Sequence, residues 1–377
     1  MAEPCPRCGA EAVAERCPRC GLVIALYHAS LEKMRRGPAT PTATVTTFRA
    51  PAPVAAVPTT ASALPGERHL RFHGSAWSLL GIHIVNVLFT LLTLGIYYFW
   101  GKARVRAYLC GASELEGDRF AYHGTGTELL IGFVKGVVVF GVPVLLLSVL
   151  PQVYGAPDVV TSALAMLLWL LGLLLVPVAM VGSRRYRLSR TSWRGIRFSF
   201  RGSARDFVGI FVVGSILTSL TLGIYYPVFA TRRQAFMIAH AYFGSRKFHF
   251  DANGRALIGP FLAMLLLLVP TLGLSWFWFA ARRHRFFTEH TRFGATRFRS
   301  TLRGRYLAWL QISNVLAIVF TLGLAWPWTV TRSVRFYYHY IALEGPLDVS
   351  DVRQDARAAS ATGEGLAGIL DADFGVS

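Results

Sequence analysis

The chain has 377 residues, of which 53% are hydrophobic and only 16% charged. A soluble chain of this length carries about a quarter of its residues charged. That deficit, with several apolar runs of span length, excludes an ordinary cytosolic enzyme, and the apolar content excludes a disordered or collagen-like protein. Lys and Arg outnumber Asp and Glu by 39 to 20, a net charge of +19. The basic residues sit just beyond the apolar runs, where anionic headgroups would meet them, so the excess points to lipid and no nucleic acid is expected.

The chain opens on Cys5-Pro-Arg-Cys8 and Cys17-Pro-Arg-Cys20, each followed by glycine. Each turn offers two thiolates from one tight loop, and together they supply the four soft ligands of a tetrahedral Zn²⁺. A four-thiolate site has no open coordination position, so the zinc expected here is structural and holds a small ribbon over residues 1–24. So short a segment draws most of its folding energy from the metal. No apolar run follows Met1, so no secretory signal is read and a reducing compartment is expected. Cys110 stands alone and reads as a small buried apolar residue. A short helix is expected over 25–36. Residues 37–67 are rich in Ala, Thr and Pro and read as a disordered linker.

From residue 68 to 345 the chain repeats itself. Short stretches of alternating apolar and polar residues, a strand-like period of two, centre on Leu70, Phe120, Phe198, Phe248 and Phe298, in steps of 50, 78, 50 and 50. Twenty-five residues past four of these anchors stand Gly95, Gly223, Gly273 and Gly323, each ending a Thr-Leu-Gly triplet. Aromatic residues follow each triplet, and an arginine stands nine residues past each glycine: Arg104, Arg232, Arg282 and Arg332. Aromatics followed by arginine suit a helix end where hydrocarbon meets headgroups, so these four arginines are expected to face headgroups.

Apolar runs over 76–101, 128–150, 161–182, 206–230, 256–281 and 306–331 are each long enough to cross a bilayer. The expected fold is therefore an all-α integral membrane protein: about six transmembrane helices from ~50-residue repeats with short interfacial strands, plus the amino-terminal zinc ribbon. The longer second repeat is read as one added span. Both termini are expected in the cytoplasm, although six crossings then put most basic segments on the far side, against the positive-inside rule. A re-entrant path through each Thr-Leu-Gly would remove that conflict, but the apolar arm after each glycine is only about eight residues, too short to return across the core. Residues 346–377 read as an acidic, disordered tail.

The stretches from Thr93 through Tyr98-Phe99-Trp100-Gly101-Lys102 to Arg106, and Arg119-Phe120-Ala121-Tyr122-His123-Gly124, resemble the YjgN family of bacterial inner-membrane proteins. The resemblance covers about 68–345. It implies an integral inner-membrane protein of uncharacterised function and supplies no catalytic residues.

Polar residues inside apolar runs are the best functional clue. His83 and Asn86 in the first run and Gln311 and Asn314 in the last stand at the same repeat offsets, each pair on one helix face, and could line a polar path between those spans. No nucleophile elbow, phosphate-binding loop or metalloprotease motif is present, so no enzyme is expected. The expected role is a membrane binding or scaffold module that contacts anionic lipids, with the ribbon contacting a cytosolic protein. The alternative is a transporter or channel built from inverted single-span repeats.

Overall fold

The structure is a computed structural model that describes residues 3–4, 11–12 and 67–354. The chain divides into two compact units, residues 1–61 and 62–377. In the first, strand β1 (Glu3–Pro4) pairs antiparallel with β2 (Glu11–Ala12). Cys5, Cys8, Cys17 and Cys20, the helix expected over 25–36 and the linker up to residue 66 lie outside the described residues.

In the second unit, each alternating stretch forms a strand that leads into an apolar helix. These strands are β3 with β4 (Glu67–His69 and Arg71–Phe72, one run broken at Leu70), β6 (Asp118–Tyr122), β8 (Ile196–Phe200), β10 (Arg246–Phe250) and β12 (Thr296–Ser300). The chain then comes back as a short strand: β5 (Ser113–Leu115), β7 (Thr191–Trp193), β9 (Ala241–Phe243), β11 (Thr291–Phe293) and β13 (Ile341–Glu344). Every return strand pairs antiparallel with its own outgoing strand. Tight β-turns join each of the first four return strands to the next outgoing strand. In two of them, Glu116-Gly117 and Arg194-Gly195, both residues have positive φ, the backbone that matches strand twist in a two-residue hairpin.

The sheet runs β3-β13-β12-β11-β10-β9-β8-β7-β6-β5-β4. Its two ends are consecutive in the chain, separated by Leu70 alone, so it closes into a barrel. Closure leaves no edge strand, the liability of an open sheet. The inward positions are the anchors and their cross-strand partners, with Phe120 opposite Trp193, Phe198 opposite Phe243, Phe248 opposite Phe293 and Phe298 opposite Leu343. With Leu70 and Leu115 these ten side chains pack as one cluster, its rings 4.8–6.5 Å apart. The barrel is a packed core, not a pore. Trp193 and Phe243 are each 2% exposed, so Trp193→Ala is expected to cost about 3–5 kcal/mol, read as a lower unfolding temperature of the purified protein.

Because the strands alternate in direction, the four β-turns lie at one end of the barrel and five helical hairpins leave from the other. The turn end is covered by residues 346–354. Leu347, Val349 and Val352 pack on the core. Thr296 donates to the Pro346 carbonyl at 2.7 Å and Arg246 to the Asp348 carbonyl at 2.7 Å. Residues 355–377 lie outside the description.

The hairpins correct the six-span, all-α expectation. The runs read as spans over 76–101, 206–230, 256–281 and 306–331 are not continuous helices. Each is an outgoing helix, a reversal at Thr-Leu-Gly and a returning helix: α1 (Ala76–Leu92) with α2 (Tyr98–Gly111), α6 (Ala204–Leu220) with α7 (Tyr226–Ala239), α8 (Ile258–Leu267, entered by a 3₁₀ turn) with α9 (Ser275–Glu289), and α10 (Gly304–Phe320) with α11 (Trp326–Tyr340). Hydropathy cannot see the reversal because the turn is as apolar as its arms. The second repeat's extra length is not an added span either. It lengthens both arms of one hairpin, Gly126–Val153 (28 residues, α3 and α4 joined by a π-helical turn) and α5 (Asp158–Ser189, 32 residues). These two are long and apolar enough to cross a bilayer, and less than a quarter of each apolar window is buried within the protein, unlike the core helix of a soluble fold.

Neighbouring hairpins pack returning arm against outgoing arm, and the fifth's returning helix packs on the first's outgoing helix, so the helices also form a closed ring. Close approach at three of these seams needs glycine. A Cβ on Gly126, Gly254 or Gly304 would stand 2.6–2.7 Å from the Cα of Trp100, Val228 or Trp278 in the preceding hairpin.

Candidate membrane-insertion surface

The four short hairpins end in the same geometry. At the first tip, the Gly95 N–H donates to the Thr90 carbonyl at 2.7 Å and the Leu94 N–H to the Leu91 carbonyl at 3.2 Å. This is the Schellman pattern, whose C′ residue adopts the left-handed conformation and is usually glycine. Here that residue is leucine. Leu94, Leu222, Leu272 and Leu322 have φ of 49–51°, and the glycine follows one position later at 84–93°. The threonine completes the turn: Thr93 Oγ1 donates to the Phe89 carbonyl at 2.7 Å and accepts from the Tyr97 N–H at 2.9 Å, with Thr221, Thr271 and Thr321 doing the same.

A left-handed leucine costs about 1–2 kcal/mol. The side chains recover nothing within the protein, since the four leucines are 91–97% exposed. Burying a leucine in hydrocarbon is worth about 1.5–3 kcal/mol, enough to offset the strain. The long hairpin is an internal control. It reverses through the same bonds, Ala156 N–H to the Pro151 carbonyl and Gly155 N–H to the Gln152 carbonyl, but its left-handed residue is Gly155, φ 61°. The one tip whose arms are long enough to cross a bilayer has the ordinary, water-compatible residue.

Above each short tip the outgoing helix exposes an apolar surface: Leu88, Leu91 and Leu92 on the first, Val315, Leu316, Val319 and Phe320 on the fifth. Nine residues past each glycine, about 14 Å along the helix, come the four expected headgroup arginines. Arg104, Arg232, Arg282 and Arg332 are all exposed. Arg104 lies over the Tyr97 ring at 5.5 Å and Arg232 over Tyr225 at 5.8 Å, a cation–π geometry suited to an interfacial belt. About 14 Å is close to half the ~30 Å hydrocarbon core. The returning arm, too short to cross, is long enough to climb from the midplane to one surface.

The four polar residues do not form one path. Asn86 donates to the Gly101 carbonyl at 3.3 Å and Asn314 to the Ser333 hydroxyl at 3.0 Å, so each ties the two arms of its own hairpin. Gln311 stands beside the Tyr337 hydroxyl of its own hairpin. His83 stacks on Trp326 at 4.9 Å, across the seam between fifth and first hairpins. Helix α11 packs on both α1 and α10 and so stands between the two pairs. Each asparagine is nine residues before its tip glycine, level with the arginine nine after it.

At the base of the long hairpin Glu128 accepts two bonds from Arg190, at 2.7 and 3.0 Å, and one from the Tyr186 hydroxyl at 3.0 Å. This clamp joins the two long arms where they leave the barrel. Among the described residues no cluster of three or more His, Cys, Asp or Glu could hold a metal. The tip leucines are functional candidates that the sequence marks only by a triplet recurring at one offset inside apolar runs.

The family described as "Bacterial protein of unknown function (DUF898)" matches residues 67–276 and 260–369, the whole barrel and its hairpins. The chain belongs to this family. The DUF898 chain is 32% identical over 152 residues to "Inner membrane protein YjgN" of Escherichia coli strain K12, covering 40% of this chain and 36% of that protein. To the protein of the same name in Salmonella typhimurium it is 27% identical over 167 residues, 41% of this chain and 40% of that one. The matches thus span well under half the length of these relatives. No solved structure matches the chain.

Proposed function

We propose that this DUF898 protein is a scaffold embedded in the bacterial inner membrane from its cytoplasmic face, with four hairpins ending within one leaflet and one crossing. The four strained, exposed leucines at the short tips, against Gly155 at the long one, carry the reading. The names of its relatives support the location. Charge supports the orientation: the far loop, residues 151–157, holds no Lys or Arg, whereas the basic residues cluster at the barrel and the hairpin bases. The conflict between termini and positive charge that six crossings create is absent with five hairpins. A filled barrel offers no passage along its axis, and hairpins that all leave one end give no support to a path between inverted repeats. No catalytic residue is proposed.

In a chain freed of other reactive cysteines, Gln152→Cys in intact cells is expected to react with an impermeant maleimide, while Ala295→Cys in an exposed β-turn reacts only after permeabilisation. The reverse pattern would overturn the orientation.

Residues 1–24 are proposed to hold one structural zinc on Cys5, Cys8, Cys17 and Cys20 and to offer a contact for a cytosolic protein. Four thiolates suit that ion, and no step depends on it. Metal analysis of the purified chain is expected to find about one zinc, lost in Cys5→Ser/Cys17→Ser. Equal zinc in both would exclude the assignment.

A further inference from the structure

We infer that the fifth hairpin carries a cleft for the phosphate headgroup of an anionic glycerophospholipid, an inference that rests on the insertion reading above. Arg332, Arg335, Phe336 and His339 fall at i, i+3, i+4 and i+7 on one face of α11, with Tyr306 and Trp309 of α10 opposite. They line a cleft of about 380 Å³. Arg335 is held there by a bond to the Gly74 carbonyl at 2.6 Å, and one bond leaves other guanidinium donors free to meet a phosphate. Arg305 adds a third guanidinium at the rim, stacked on Tyr306 at 4.6 Å and bonded to its hydroxyl at 2.7 Å.

The level of the cleft selects a lipid. Arg332 and His339 stand nine and sixteen residues past Gly323, about 14 and 24 Å above the tip. With the tip at the midplane, that interval begins where the hydrocarbon ends, about 15 Å out, and continues through the headgroup zone. Below the cleft an exposed stripe, Trp309, Ile312, Leu316 and Phe320, runs one helical face down to the tip. An acyl chain laid along it brings its phosphate to Arg332, whereas a free phosphate uses none of the stripe.

The cleft is specific to this hairpin. Arg332 has counterparts in Arg104, Arg232 and Arg282, but Arg335 is replaced by Ala107 and Ala235 in the first and third hairpins, and His339 by Glu289 in the fourth. An arginine found at this offset in four hairpins is thus joined here by a second arginine and aromatic walls, residue types suited to recognising phosphate.

The test is native mass spectrometry of the full chain released from nanodiscs of mixed phosphatidylglycerol and phosphatidylethanolamine. The wild-type chain is expected to retain phosphatidylglycerol above its bulk fraction. Arg332→Gln/Arg335→Gln should lower that retention by about five-fold per arginine, Arg332→Lys should keep part of it, and Arg297→Gln/Arg353→Gln, exposed on the barrel and its turn end, should not change it. Circular dichroism confirms that each variant compared is folded. Equal retention in the folded double variant overturns the cleft, as does a thermal shift with inorganic phosphate alone in lipid-free detergent that matches the lipid's. Acyl-chain quenching of tryptophan reports insertion separately. A wild-type chain that shows no phosphatidylglycerol enrichment but intact quenching removes the cleft alone, and loss of quenching in the wild type removes the insertion reading with it.

Discussion

Replacing Leu94, Leu222, Leu272 and Leu322 together by Asn is expected to leave the barrel folded and to weaken insertion by about 1–2 kcal/mol per tip, several kcal/mol in all. Asn tolerates the left-handed conformation better than Leu, so each exchange relieves strain in the isolated protein. It also removes an apolar side chain worth about 1.5–3 kcal/mol in hydrocarbon and substitutes an amide that hydrocarbon leaves unpaired. The two environments therefore give opposite signs. In a bilayer, quenching of Trp276, Trp278, Trp326 and Trp328 by mid-chain brominated lipid should fall, because these rings sit within a few residues of the tips. In water the same variant should melt at a higher temperature than the wild type. Higher stability with unchanged quenching in vesicles would mean that the tips do not enter lipid, and the insertion proposal would fall.

The glycine seams give the second large effect. In Gly126→Ala, Gly254→Ala and Gly304→Ala the added methyl meets a backbone Cα of the neighbouring hairpin at 2.6–2.7 Å. A backbone atom cannot rotate aside as a side chain can, so the two hairpins must part. Overpacking of this kind costs about 1–3 kcal/mol per site. Because the helix ring is closed, each displacement is also passed on to the other seams. Gly81 and Gly209 sit on helices of the same type with nothing within 4 Å of a built Cβ. Gly81→Ala and Gly209→Ala are expected to gain about 0.5–1 kcal/mol from helix propensity. Thermal unfolding of the five purified variants checks both signs at once. A uniform small gain across all five would show that the seams are not tight. The other two seams carry Ala76 and Ala204 at the equivalent position, so the requirement is for a small residue at every junction and for glycine where the crossing is closest.

Much of the repeat was open to reading, and the reason lies in the period. Five residues of alternating polarity, as in Ile196–Phe200, suffice to mark a strand, and anchors 50 residues apart mark its copies. The return strands were not open to reading. Ala241–Phe243 has three residues, too few to show any period, and it is a strand because β8 and β10 flank it. Asn86 and Asn314 stood out as polar residues at one offset. Their partners did not, because Gly101 and Ser333 lie on arms that the sequence presents as continuations of a span. Leu94 recurs within its triplet at one offset, but an apolar residue in an apolar run carries no composition signal, so its φ of 51° and its exposure are what mark it as a site.

The sequence by itself determined that this chain seeks a bilayer, that it repeats one unit along residues 68–345, and where aromatic and basic residues gather at each unit's end. Those are properties of composition and spacing, local along the chain. Whether an apolar run crosses or turns back depends on a pair of backbone torsions at Leu-Gly. Whether the repeats form a row or a ring depends on β13 meeting β3 across more than 270 residues. The first is a local turn that hydropathy cannot distinguish from its arms, and the second rests on contacts between segments far apart in the chain, so both were decided only in the folded structure, a closed barrel bearing five hairpins where six continuous spans were expected.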